Sequence, residues 1–356
     1  MNSITPRING IGSAVPTQDV HQAFIGWAAA QLADPRARAL FARMAERSGI
    51  NHRYAVLPEL AGGGSPVAPG GFYAANPLPP TSARMALYAE GAPLLALEAV
   101  ANLRAKADIE GITHLVVASC TGFVAPGIDQ IVAARLGLSP SVERLLIGFM
   151  GCYAAVSALR TARHIVRSDP AARVLVITVE LSCLHLQPET EIEPLLAMLQ
   201  FGDGAAAALV TATGTGLSVE APFATTLPDS ADLIRWAVGD QGFAMHLSGA
   251  VPGRIAEALR DPALVKTIVG DNPEPVDAWA VHAGGRSILD GVEHGLTLDK
   301  AALAISRGVL ADFGNMSSST LMFVLERLFA SDPANGVALA FGPGLAAEGF
   351  RFRAVA

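Results

Sequence analysis

The feature that most constrains this chain is an alternation between short, unbroken apolar runs and longer stretches of helical character. Runs rich in Val, Ile, Leu and Ala at 113–119, 173–179, 205–210, 278–281 and 336–340 end in small or polar residues. Between them lie helix-like stretches at 85–106, 127–137, 153–168, 253–265 and 300–313. A run that is apolar at nearly every position is buried on both faces, as in a sheet covered by helices on either side. The alternation therefore predicts an α/β architecture containing mostly parallel sheets. Hydrophobic residues make up 51% of the 356, enough for a large core, and the length fits two to three domains or two fused halves.

The same composition excludes several function classes. Net charge is −7, with no block of like charges, whereas a general nucleic-acid binder needs a basic face to neutralise phosphate. No purely apolar stretch reaches the roughly 18 residues of a membrane span. The most apolar one, 145–159, is interrupted by Gly148, Gly151 and Ser157, and is expected to be a buried segment. The first residues, MNSITPRINGIG, lack the basic start and apolar core of a secretion signal. Cys120, Cys152 and Cys183 form an odd set without C-x-x-C spacing, which fits neither a disulfide framework nor a zinc site. Free thiols in a reducing cytoplasm, and no bound metal, are the expectation. The Gly- and Pro-dense segment 59–80 reads as a surface loop.

Two short likenesses hint at an internal duplication. Phe201-Gly-Asp-Gly finds an echo in Phe341-Gly-Pro-Gly. The run 113–119 leads into Cys120-Thr-Gly, much as 278–281 leads into His282-Ala-Gly-Gly. If the duplication is real, Cys120 and His282 project from equivalent strand ends.

Three residues are candidates for chemistry. Cys152 follows Gly148 and Gly151 and precedes a helix-like stretch, so its thiol sits where a helix N-terminus favours thiolate. A small buried thiol is the ordinary fate of an isolated cysteine; the helix-start context favours the nucleophile. His282 ends a buried-strand pattern and is followed by Ala-Gly-Gly, which leaves it facing open space. His52, His114, His164 and His294 have no such setting. Asn315, alone, reads as a turn or helix cap. Together they make one chemistry. A thiolate takes an acyl group from a thioester, and imidazole and carboxamide N–H groups then stabilise the enolate left when a malonyl thioester loses CO₂. Decarboxylation itself generates the carbanion, so no general base is needed.

At the motifs SCTGFVAPGIDQ, GFMGCYAA, LQFGDGAAAALV, WAVHAGG, FGNMSSST and AFGPGL, the chain resembles the type III polyketide synthases, the chalcone-synthase-like family. The resemblance runs from about residue 40 to the C-terminus. It implies an α/β thiolase-like fold of two related halves, 1–212 carrying the cysteine and 213–356 carrying the histidine and asparagine. Each half would hold a mixed sheet, in layers α-β-α-β-α. It also implies a homodimer that condenses malonyl-CoA onto an acyl-CoA starter without a carrier protein or any cofactor beyond CoA thioesters. By matched position, Cys152 would hold the growing chain, His282 would polarise the thioester and keep Cys152 ionised, and Asn315 would orient malonyl-CoA. Phe201 would be an aromatic gate, and Met245 stands where plant enzymes have a second. Arg43 and Arg47, on one helix face, would meet the CoA phosphates, with Leu40 in place of a third cation. Cys120, Ser182, His185 and Trp236 would wall the cavity, with Ser317 near its floor. Cys120 replaces a plant threonine, as in bacterial members that make small aromatic products. Ala125 replaces a methionine that reaches across the plant dimer.

Three other readings compete. A ketoacyl synthase of fatty-acid initiation shares fold and triad, but its histidine is usually followed by Gln-Ala-Asn. Papain-like proteases order Cys, His and Asn similarly, but their Cys-Gly-Ser-Cys-Trp signature is absent. A catalytically degenerate thiolase-fold binding subunit would not be expected to keep all three residues.

Overall fold

The structure, a computed structural model, describes residues 4–60, 63–270 and 275–356. Two mixed sheets organise it. The first runs in the order Ala354–Val355, Gly216–Ser218, Arg7–Ala14, Asp203–Thr211, Val174–Leu181, His114–Ser119, Glu143–Gly148. The second runs Ala278–Val281, Gly336–Gly342, Ala346–Phe352, Glu220–Thr226. Only three of these pairings are parallel: His114–Ser119 with both of its neighbours, and Ala278–Val281 with Gly336–Gly342. The expected predominance of parallel pairing is therefore corrected. Burial on both faces comes from the helix layers, whichever way the strands run.

Successive side chains along each buried strand enter different cores. Leu115, Val117, Leu175 and Ile177 pack beneath the outer helix Thr81–Arg104, whereas Val116, Ala118, Val174 and Val176 point to the middle of the molecule. In the second sheet, Ala278 and Ala280 face that same middle, while Trp279 and Val281 face the outer helices Val251–Ala258 and Arg286–Leu296. This is the period-two alternation of a strand with apolar groups on both sides. Between the sheets lie two buried helices, Ala154–Ser168 and Ser319–Leu328, each touching strands of both. The former presents Ala154, Ala155, Ala158 and Ala162, small side chains that let the two sheets close on it.

Several expectations need correcting. Within 145–159 only Cys152 and the helical part are buried. The strand Glu143–Gly148 is a sheet edge that leaves Leu145 and Leu146 more than 40% exposed. The stretch 253–265 is two helices, Val251–Ala258 and Pro262–Val269. Asp261 caps the second by accepting from Ala263 N–H at 3.0 Å, and Pro262 opens it. Phe341-Gly-Pro-Gly closes a strand whereas Phe201-Gly-Asp-Gly leads into one, so those two motifs are not equivalent. The strands Gly216–Ser218 and Ala354–Val355 return to the first sheet, so the chain beyond 212 contributes to both sheets. Among the described residues, no helix is long and apolar enough to cross a membrane.

The small-residue helix makes a test. Ala158→Leu adds volume at a fully buried position and should destabilise the chain by about 1–3 kcal/mol. An unchanged urea midpoint would show that the middle layer has spare room.

Candidate active site

Cys152 lies in the turn between the edge strand Glu143–Gly148 and the helix Ala154–Ser168. The turn needs Gly151, whose φ is 79°, and a Cβ there would meet Pro343 Cδ at 2.4 Å. His282 is the first residue past the strand Ala278–Val281, where its N–H donates to Leu339 O at 2.8 Å. Asn315 lies between the helices Ala304–Phe313 and Ser319–Leu328. Its backbone brackets Phe201: its N–H donates to Gln200 O at 2.7 Å, and its carbonyl accepts from Gly202 N–H at 3.0 Å. Its side chain both caps and reaches. Oδ1 accepts from Ser317 N–H at 2.9 Å, and Nδ2 donates to Gly284 O at 3.1 Å.

These segments meet. Cys152, His282 and Asn315 line one cavity of about 410 Å³, together with Phe201, Met245 and Pro343. Burial pushes the Cys152 thiol up to about 12, although hydrogen bonds from the side chains of Ser317 and Asn315 pull it down. Burial alone pushes His282 down to about 3, and both its ring nitrogens are buried without a hydrogen-bond partner. Burial therefore favours the neutral form of each group. It opposes the thiolate that a helix start favours, and the hydrogen bonds from Ser317 and Asn315 act in the thiolate's favour.

Glu180 was missed in the sequence, where it is hidden inside the apolar strand Val174–Leu181. It is fully buried and raised to about 7 by that burial. It accepts from Cys120 N–H, from the Thr121 hydroxyl and from the Ser318 hydroxyl. A lone carboxylate in an otherwise apolar strand was the available signal.

Phe201 and Met245 also belong to the wall of a second cavity of about 850 Å³, which Ser182, His185 and Trp236 line as well. The His185 ring stacks on Phe243 at 4.2 Å, donates from Nε2 to Thr121 O and accepts at Nδ1 from Phe243 N–H, so it is a fixed neutral wall. Trp236 donates from Nε1 to Cys120 O at 3.1 Å. Cys120 itself lines neither cavity. Its sulfur accepts from Gly151 N–H at 3.0 Å, behind the turn that carries Cys152. Ser317 contacts Cys152 and lines neither cavity. The segment 59–80 is more than a surface loop. Ser65, Pro66 and Val67 line the larger cavity, and Tyr73 is buried with its hydroxyl on Cys183 O; residues 61 and 62 lie outside the described residues.

Of the two expected cations, Arg47 lines a third, more polar hollow with Gln200, Arg286 and Asp290, while Arg43 is exposed on the same helix and does not line it. Arg286, which follows His282-Ala-Gly-Gly directly, was missed. It donates to Arg47 O at 2.9 Å.

Comparison with known proteins decides the class. Residues 5–214 match chalcone and stilbene synthases, N-terminal domain, and residues 218–356 match the C-terminal domain of the same family. The chain belongs to the chalcone and stilbene synthase family. This type III polyketide synthase, an acyltransferase, is 36% identical over 288 residues to the alpha-pyrone synthesis polyketide synthase-like Pks18 of Mycobacterium tuberculosis, covering 76% of this chain and 72% of that protein. It is 31% identical to type III polyketide synthase 10 of Oryza sativa, over 97% of this chain and 91% of that one. Among solved structures, PKS-I of the brown alga Ectocarpus siliculosus superposes with a TM-score of 0.89 at 30% identity, covering 100% of both chains. The C-terminal type III polyketide synthase domain of Steely1 from Dictyostelium gives 0.89 at 26% identity, over 99% of this chain and 100% of that one. The fold is thiolase-like, and the ketoacyl synthase, protease and binding-subunit readings give way.

The buried carboxyl yields a sign-definite test. Glu180 holds its proton more tightly folded than unfolded, so its contribution weakens the fold as pH rises from the ordinary 4.5 towards about 7. Glu180→Gln should therefore lose less stability than the parent over that window in urea titrations. A parallel pair of pH profiles would mean that folding does not raise the Glu180 pKa.

Proposed function

We propose that this type III polyketide synthase holds an acyl starter as a thioester on Cys152 and extends it repeatedly with malonyl-CoA, releasing a pyrone or aromatic polyketide. One observation carries the reading. A buried thiol, a buried imidazole and a carboxamide share a small, largely apolar cavity whose wall, at Phe201 and Met245, is also the wall of a larger apolar one.

In loading, the Cys152 sulfur attacks the acyl-CoA carbonyl while its proton passes to His282. The C–S bond to CoA breaks, and the departing thiolate takes that proton. In extension, malonyl-CoA loses CO₂, and the electron pair of the broken C–C bond becomes an enolate. The enolate oxygen accepts hydrogen bonds from His282 N–H and Asn315 Nδ2, donors that count for more in a site without water. The enolate carbon then attacks the Cys152 thioester carbonyl, and the C–S bond to Cys152 breaks and frees its thiolate. The lengthened β-ketoacyl group, now on CoA, is taken back by that sulfur with release of CoA for the next round. CoA thioesters are the only small molecules this scheme needs.

The larger cavity is walled by Phe24, Leu57, Val67, Leu186 and Phe243, which suits an aliphatic acyl chain. Met245, an adaptable thioether, suits passage into it. The alpha-pyrone in the description of the mycobacterial relative favours pyrone release. Arg47 and Arg286, which line one hollow together, are suited to the CoA phosphates, with exposed Arg43 on the same helix as Arg47. A homodimer is supported by the edge strand Glu143–Gly148, where Leu145 and Leu146 are exposed, and by exposed Phe123, whose ring packs on Phe149 just past that strand. Three unpaired thiols favour the cytoplasm.

Asn315→Ala should still load starter but decarboxylate malonyl-CoA about 10²–10³-fold more slowly, read as CO₂ release after loading. A loss under about tenfold would leave Asn315 as a cap only. Met245→Phe should shift the starter profile, across a panel of acyl-CoAs, away from long chains. The same profile in both proteins would remove Met245 from the path.

A further inference from the structure

In the wall of the larger cavity lies a charged side chain that the condensation steps do not use. Arg53 is 2% exposed. Its guanidinium sits 4.7 Å from the Phe24 ring centroid and donates from Nε to His21 Nδ1 at 2.9 Å. From Nη1 it donates to Phe201 O at 2.7 Å and to Met198 O at 3.3 Å. Burial and the Arg53 charge push His21 down to about 4, which keeps its ring neutral and able to accept.

The stem of Arg53 is held as tightly as its head. Gly314, the residue before Asn315, has φ 70°, and a Cβ there would meet Arg53 Cγ at 2.8 Å. At Gly202, the residue after Phe201, a Cβ would stand 3.6 Å from Arg53 Cβ. The two segments also pair with each other through the bridge between Phe201 and Asn315. One arginine therefore runs under both the residue that divides the cavities and the residue that carries the carboxamide.

We infer that Arg53 is a positioning residue for condensation: by holding the Phe201 carbonyl and filling the space beside Gly314, it sets where Phe201 and the Asn315 carboxamide stand relative to the Cys152 thioester. Arg53 also lines the larger cavity beside Phe24 and Phe201. Its hydrogen bonds go to His21, Met198 and Phe201, not to Cys152, His282 or the Asn315 carboxamide, so it acts on condensation through those two segments. The loading step relies on Cys152 and His282, which come from other elements, so disturbance at Arg53 falls on extension. Misplacing a reacting group by about 1 Å costs on the order of 10²-fold in rate. The inference rests on the proposed role of Asn315 at the enolate.

The test compares Arg53→Met, which keeps the stem and removes the donors, with Arg53→Lys, which keeps the charge and one donor group. Each is measured for melting temperature, rate of Cys152 acylation by acyl-CoA, and rate of malonyl-CoA decarboxylation after loading. Folded Arg53→Met is expected to acylate within a few-fold of the parent while decarboxylation drops by about 10²-fold, with kcat rather than KM for malonyl-CoA taking the loss. Arg53→Lys is expected to recover part of that drop. If Arg53→Met does not fold, the same comparison of loading with decarboxylation is made on Arg53→Lys. Equal falls in the two steps, or unchanged decarboxylation in a folded variant, overturn the inference. Asn315→Ala run alongside separates the two claims. If that variant decarboxylates normally, the assignment of Asn315 has failed; if it is slow while the Arg53 variants are not, the inference about Arg53 has failed.

Discussion

The constraint on which the rest depends is the exclusion of water from one thiol and one imidazole. Burial raises the sulfur to about 12 and lowers the ring to about 3, so the charged pair is costly until a substrate arrives to use it. An exposed thiol would ionise more easily, but the hydrogen bonds offered to an enolate would then compete with solvent. A dry pocket trades easy ionisation for strong stabilisation of charge that develops during the reaction.

The layered fold supplies that dryness. Helices Ala154–Ser168 and Ser319–Leu328 fill the space between the sheets, and the turn before each carries a polar residue of the cavity, Cys152 in one case and Asn315 in the other. His282 comes from the end of a strand in the second sheet, and Phe201 from the turn entering a central strand of the first. No single element could bring these four together. Backbone hydrogen bonds between 200–202 and Asn315, with Arg53 packed beneath, tie the contributions to a common frame.

Much of this could be read before any coordinates. Strands buried on both faces announced themselves as unbroken apolar runs, and the Gly-Cys, His-Ala-Gly-Gly and Gly-Asn-Met-Ser-Ser motifs marked the cavity residues. Strand direction could not be read, because helices on both sides make parallel and antiparallel strands equally apolar. The edge strand Glu143–Gly148 misled for a related reason. Its leucines are exposed, and apolarity alone does not say whether a residue is buried. Arg53 and Glu180 went unseen because their meaning lies in long-range contacts, a charged group among carbonyls in one case and among hydroxyls in the other. The break at Asp261-Pro262 was legible in principle, since an N-cap followed by proline is a local signal. Cys120 shows the limit of matched position: it lies close to the site, yet its sulfur is turned to Gly151 N–H instead of the cavity.

The central claim is that a single buried sulfur carries the acyl group through every extension. Rapid quenching of the enzyme during turnover, followed by intact-protein and peptide mass spectrometry, tests it directly. With acyl-CoA alone, one acyl group should appear on the peptide containing Cys152; once malonyl-CoA is added, that adduct should grow by successive ketide units. Product formation with residue 152 unmodified throughout, or with the acyl group on Cys120 or Cys183, would contradict the account.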